Sequence, residues 1–323
     1  MLRTRLCDLL SIEHPIIQAS LGPWSSAELV AAASNAGALG SYGAVLRSVH
    51  DLGDQLERIK ALTDRPFAVN LSTRPFDEEA FRLTLETKPA LISFAHGDPG
   101  ELVGRAHDAD ILFVQMINTV SQARQAAERQ VDAIIAQGTE AAGFGGTVST
   151  MALVPQVVDA VDPIPVVEAG GIADGRGLAA ALTLGAQGVN IGTRFVASTE
   201  AAVSGDWKRM ILSASSEDTV KAEFANHVFP PPSREGGYQT LPRVLPTPFV
   251  QEWNRRHDEI EGEARRLSSE LLEAVRGGRG HELLPFTGQS AGMIEEILPT
   301  GEILRRMVAG AEQTLRRAST FLL

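Results

Sequence analysis

Two glycine turns, each placed just past a short apolar run, are the features of this chain best suited to chemistry. Residues 165–195 read PVVEAGGIADGRGLAAALTLGAQGVNIGTRF. A β-branched run stops at Gly170-Gly171, an Ala- and Leu-rich segment over 174–184 has helical character, and a second apolar run stops at Gly192-Thr193. Connections this short fit only strand, turn, helix, strand and turn, a βαβ unit. Glycine beyond a strand lets backbone N–H groups close on an anion, and a following helix N-terminus favours negative charge. The last two βα loops of a (β/α)₈ barrel commonly build such a phosphate site, so this stretch reads as a phosphate grip.

Other strand-like runs end in polar residues that could border the same ligand. They are Gln18, Ala19 and Ser20, then Asn70, His96, Gln115 and Asn118, and finally residues 137–146, QGTEAAGFGG. Amides dominate, and acids and bases are scarce, which suits a large hydrogen-bonding cofactor such as a flavin better than hydrolysis. Rival chemistries lack their residues. A Schiff-base aldolase needs a strand-end lysine, whereas Lys60, Lys88, Lys208 and Lys221 fall in expected helices or beyond the barrel. The single cysteine, Cys7, precedes the first strand, and the seven histidines are scattered rather than clustered as metal ligands.

The elements that must position these residues recur along the chain. Strand-like runs fall at 16–18, 38–45, 67–71, 91–95, 111–116, 133–136, 165–168 and 188–191, with helix-like segments between them. This alternation predicts an α/β fold, a closed (β/α)₈ TIM barrel, with no ninth strand after Phe195. Beyond residue 198 the character changes. Residues 201–226 look helical, 229–248 look like loop with Pro230-Pro231-Pro232 and Gly236-Gly237 as breakers, and 249–277 read as one long charged helix. The expected organisation is a barrel over 1–200 and a smaller, mainly helical subdomain over 201–299. A last helix over 300–323 could return to the barrel.

The 323 residues exceed a bare barrel, and the net charge of −11 argues against a nucleic-acid partner. One cysteine, no signal-like leader and no long apolar run predict a cytoplasmic protein without a membrane partner.

Taken together, several segments resemble the nitronate monooxygenases, formerly 2-nitropropane dioxygenases. They are His14-Pro15-Ile16-Ile17-Gln18, Ala36-Gly37-Ala38-Leu39-Gly40, Arg65-Pro66-Phe67-Ala68-Val69-Asn70-Leu71, Gln137-Gly138-Thr139-Glu140-Ala141, the 165–195 stretch and Gly288-Gln289-Ser290-Ala291-Gly292. The resemblance implies an FMN-dependent barrel enzyme that oxidises a small nitronate or related substrate with O₂. It places the FMN phosphate on Gly170, Gly171, Gly192 and Thr193. The rest of the cofactor would lie against Ala19, Ser20, Leu21, Asn70, Gln115, Gln137, Gly138 and Ala169, with Gln289, Ser290 and Gly292 approaching from the subdomain. A homodimer is a further expectation, and no metal is expected.

One position departs from the pattern. Relatives of this type carry histidine in the loop after the sixth strand, whereas this loop has Phe144 in Ala142-Gly143-Phe144-Gly145-Gly146. An imidazole there can move a substrate proton; a phenyl ring can only pack. Either the chemistry differs or another residue supplies the base, and His96 is the candidate substitute. Two alternatives therefore stand beside the monooxygenase: an NAD(P)H-dependent flavin reductase of a quinone or enoyl substrate, and a flavin-binding protein without turnover.

Overall fold

The computed structural model describes residues 2–72, 76–95, 97–228 and 240–322. Its strands are β1 (Ile16–Gln18), β2 (Leu39–Gly43), β3 (Phe67–Ser72), β4 (Leu91–Ala95), β5 (Leu112–Ile117), β6 (Ala133–Gln137), β7 (Gly143–Gly145), β8 (Val166–Ala169), β9 (Gly188–Ile191), β10 (Val220–Lys221) and β11 (Leu241–Val244). Eight of them close a parallel barrel in the order β1-β2-β3-β4-β5-β6-β8-β9. Closure is by β9 on β1, with Ile17 opposite Asn190. The chain is the α/β barrel that its alternation predicts.

The helices between strands start where their caps allow. Ser26, Ser48, Asp77 and Thr119 each accept the backbone N–H three residues on, and Asp174 that of Arg176. Each cap is worth about 1 kcal/mol.

Side-chain alternation divides the barrel interior into two layers. Ile17, Leu39, Ala68, Leu91, Val114, Ala133, Ile135 and Val167 pack with Leu6 and Leu10. Those two leucines come from the helix Arg5–Leu10, which plugs the N-terminal end of the barrel and buries Cys7. Two residues further along the strands, on the same face, stand Ser41, Asn70, Ser93, Met116, Gln137 and, opposite Ala169, Asn190. The floor is therefore apolar and the mouth polar.

The region after the barrel departs from its expected form. Two strands do follow Phe195, outside the barrel: β10 and β11 form an antiparallel sheet with β7. The 201–226 segment is not one helix but Gly205–Ser213, a 3₁₀ turn, β10 and Ala225–Val228. Of the expected 229–248 loop, residues 229–239 lie outside the described residues, and Leu241–Val244 is strand.

The expected helix over 249–277 is two helices, Pro248–Arg255 and Ile260–Arg276. The break has a local cause. Arg256 reaches Glu252 and Glu259 at 2.7 Å each and lies 4.5 Å over the Trp253 ring, at a joint that continues as the 3₁₀ turn His257–Glu259. The last helix, Thr300–Ser319, packs against Gly175–Thr183 and Ala27–Asn35 on the barrel. The approach is so close that a Cβ on Gly175 would sit 2.3 Å from the Ala311 nitrogen. No helix among the described residues is long and apolar enough to cross a membrane.

Candidate active site

A cavity with about 1400 Å³ of empty space, its open mouth included, lies at the C-terminal end of the barrel strands. One side is built of backbone. Where β8 ends, Gly170 (φ +116°) and Gly171 (φ +74°) turn the chain, and a Cβ on Gly170 would come within 3.0 Å of the Ala141 nitrogen. Only glycine suits that turn without strain. Gly192 and Thr193 follow β9 on the same cavity wall, together with Ala19, Ser20, Leu21 and Ala169.

This side is locked from behind. Gly288 donates its N–H to Thr193 Oγ1 at 2.9 Å, and Gln289 donates to the Glu140 carbonyl at 2.9 Å. The Glu140 carboxylate accepts the Thr150 N–H and hydroxyl, at the start of the helix Thr150–Val161. Its charge is thus held outside the cavity.

Amides form the floor of the mouth. Asn70, Gln137 and Asn190 line it. Asn70 Nδ2 donates to Ser93 Oγ at 2.9 Å, and Gln137 Oε1 accepts from Asn118 Nδ2 at 3.0 Å. Several residues singled out by sequence do not line the cavity, Gln18 and Asn118 among them. Gln115 alternates away from Met116, which does line it, and donates instead to the Gly97 carbonyl at 3.1 Å. Gly138 is crowded against Thr150 and Glu140, and Gly292 against Ser216. Gln289 contributes its backbone to the latch, whereas Ser290 does face the cavity. His96 lies outside the described residues.

Another part of the lining is aromatic. Phe144, from β7, lines the cavity with Trp24, Trp207 and Phe286. The rings are contiguous: Phe144–Phe286 centroids are 6.2 Å apart, Trp24–Phe286 5.5 Å and Trp24–Trp207 5.3 Å. Sequence reasoning missed the last three residues, as well as Asn190. Asn190 could have been found from its place one residue before the end of a barrel strand. The aromatic residues carry no such signal, being scattered over three remote segments.

No described residue lining the cavity carries a charge. Shifted groups stand just behind it. Burial, helped by the Glu140 charge, pushes the Glu168 carboxyl up to about 7, and its buried Oε2 has no partner among the described residues. Burial, then the Arg243 charge, brings the Lys221 ammonium down to about 8; it donates to the Leu241 carbonyl at 3.1 Å. No cluster of His, Cys, Asp or Glu able to hold a metal occurs among the described residues.

The chain matches the nitronate monooxygenase family over residues 3–80 and 72–310. It is similar to (3aS,4S,5R,7aS)-5-hydroxy-7a-methyl-1-oxo-octahydro-1H-indene-4-carboxyl-CoA dehydrogenase of Mycobacterium tuberculosis, at 39% identity over 222 residues. That match covers 68% of this chain and 62% of the relative's length, so the chain spans less than two thirds of it. A probable nitronate monooxygenase of Staphylococcus saprophyticus is 30% identical, over 98% of this chain and 99% of its own. Among solved structures, FabK from Thermotoga maritima superposes with a TM-score of 0.88 at 34% identity, covering 100% of both chains.

Proposed function

We propose that this chain, which belongs to the nitronate monooxygenase family and is a flavin-dependent oxidoreductase, holds FMN across the barrel mouth and oxidises a small organic nitronate with O₂. The observation that carries this reading is a cavity lined by glycine turns and aromatic rings, with no charged residue among its described lining residues. The residues fit the cofactor. Gly170, Gly171 and Gly192 offer a side-chain-free approach to a phosphate, where N–H···O⁻ bonds are charge-assisted, and Thr193 follows with its hydroxyl engaged by the Gly288 N–H. Asn70, Gln137 and Asn190 present donors and acceptors to a polar ring edge. Bound there, FMN would supply the two-electron redox chemistry.

The chain's own part is to hold, exclude and orient. The aromatic side keeps water from the reacting carbon. With Phe144 where relatives carry histidine, this wall cannot take a carbon-bound proton. A nitronate arrives already deprotonated and needs no such help. The test is oxygen uptake by FMN-loaded protein given propane-2-nitronate and, in parallel, phenylmethanenitronate. No uptake with either, together with a flavin that neither nitronate bleaches anaerobically, would refute the reading.

The relative named as a carboxyl-CoA dehydrogenase supports a second reading, an NAD(P)H-dependent flavin reductase of a quinone or enoyl substrate. Anaerobic bleaching by NADPH alone would select it.

A further inference from the structure

The cavity's aromatic side is more than a water barrier. Its four rings run Phe144, Phe286, Trp24 and Trp207, with neighbouring planes tilted by 44°, 59° and 78°. Successive rings are thus packed against one another in the tilted and edge-to-face arrangements that aromatic rings prefer, with Trp207 almost wholly buried behind Trp24.

The wall is also fixed before anything binds. Trp207 Nε1 donates to Thr287 Oγ1 at 3.1 Å, and its ring lies parallel to His281, 5° between planes. His281 Nε2 is in turn 2.8 Å from Ser204 Oγ, which accepts the Trp207 N–H. Trp24 rides on a turn held by Arg47, whose Nη2 donates to the carbonyls of Pro23 at 2.9 Å and Ser25 at 2.7 Å. Rings already held in place lose little freedom when a ligand arrives, so the contact energy is kept for discrimination.

From this wall we infer that the substrate carries a planar aromatic ring beside its reacting carbon, in contrast to a short alkyl or saturated cyclic body. The inference rests on the cavity being the active site of the flavin enzyme proposed above, and it adds the substrate's class. Beyond the reacting group itself, a further charge on the substrate body would be poorly housed against these rings, since no described lining residue offers a counter-ion. Flat apolar surface matches both the shape and the quadrupoles of the wall.

The test uses neutral ketones of equal carbon number: 1-indanone (planar and aromatic), the saturated bicyclic hydrindan-1-one, and linear 2-nonanone. Each is titrated calorimetrically into the full chain, with and without FMN, while tryptophan emission is followed. Trp24 and Trp207 lie in the wall, whereas Trp253 belongs to a separate apolar cluster.

The expected result is that 1-indanone binds about tenfold tighter than either competitor, as two aromatic contacts allow. Phe144→Leu and Phe286→Leu should each reduce that preference about threefold, with melting curves confirming the fold. Equal or tighter binding of hydrindan-1-one or 2-nonanone to the unmodified protein overturns the inference, and so does an undiminished preference in both variants. If the preference appears but FMN is not taken up, the cofactor reading fails and the ring pocket stands. Uptake of FMN without the preference sinks the ring pocket alone.

Discussion

The two sides of the cavity are built on different principles. The glycine side is made of backbone: Gly170, Gly171, Gly192 and their neighbours expose peptide groups, and side chains are kept out. The aromatic side is made of side chains, and its backbone lies behind them. Backbone groups recognise a phosphate by geometry that changes only if the turn changes. Side-chain surface can be remodelled one substitution at a time. On the reading proposed here, the first side fixes the cofactor and the second fixes what is done with it.

The comparison breaks most completely at Gly171. Gly171→Asp puts a carboxylate and a strained positive φ where the phosphate should lie. FMN affinity should fall by more than about 100-fold, as the loss of charge-assisted bonds implies, while far-UV circular dichroism stays barrel-like. Fluorescence titration with FMN reads this directly, and retained affinity would dissociate the turn from the cofactor.

Next in size is Phe144→His, which puts a titratable group into the neutral wall. A positioned base contributes about 10²–10⁴-fold, so turnover of a neutral nitroalkane should rise at least tenfold. Turnover of the nitronate should change little. Oxygen uptake with both substrates checks it, and unchanged rates for both would mean that this position never faced the reacting carbon.

A third test concerns Glu168, behind the glycine side. Its folded value of about 7 lies above the ordinary 4.5, so the folded state holds a proton that the unfolded chain has released. Stability is therefore highest below the ordinary value and declines as pH rises from about 4.5 to about 7, by up to about 3 kcal/mol. Glu168→Gln should flatten that decline in urea melts between pH 5 and pH 8. An identical slope would show that another group titrates there. The smallest effect is expected for Thr193→Val, which strands the buried Gly288 N–H and should cost about 1–3 kcal/mol. It is measured by the same melts, and FMN binding should weaken in parallel.

Much of the barrel was legible because each strand is a short apolar run ended by a glycine, an amide or a turn. The glycine side was legible for the same reason, since a residue type that is rare inside strands marked where each strand stopped. The small sheet was not. Gly143–Gly145 and Val220–Lys221 are too short for any periodicity, and their pairing with Leu241–Val244 joins segments far apart in sequence.

The aromatic wall was hidden by the same remoteness, and Phe144 drew notice only as a departure from a resemblance. The break at Arg256 was invisible because charged residues continue across it, and only the Trp253 ring and the paired carboxylates distinguish a joint from a helix turn.

The helix Thr300–Ser319 has a consequence for biosynthesis. It covers Gly175–Thr183 and Ala27–Asn35, yet the ribosome makes it some hundred residues after the last barrel strand. Until Ile303, Leu304, Met307 and Ala311 emerge, the faces they bury have nothing to rest on. A growing chain can therefore possess every strand of its barrel and every glycine of its anion grip while still showing an open apolar seam. Such a seam is what chaperones hold and proteases probe. The first turns of this helix, which carry those four residues, are what close the seam.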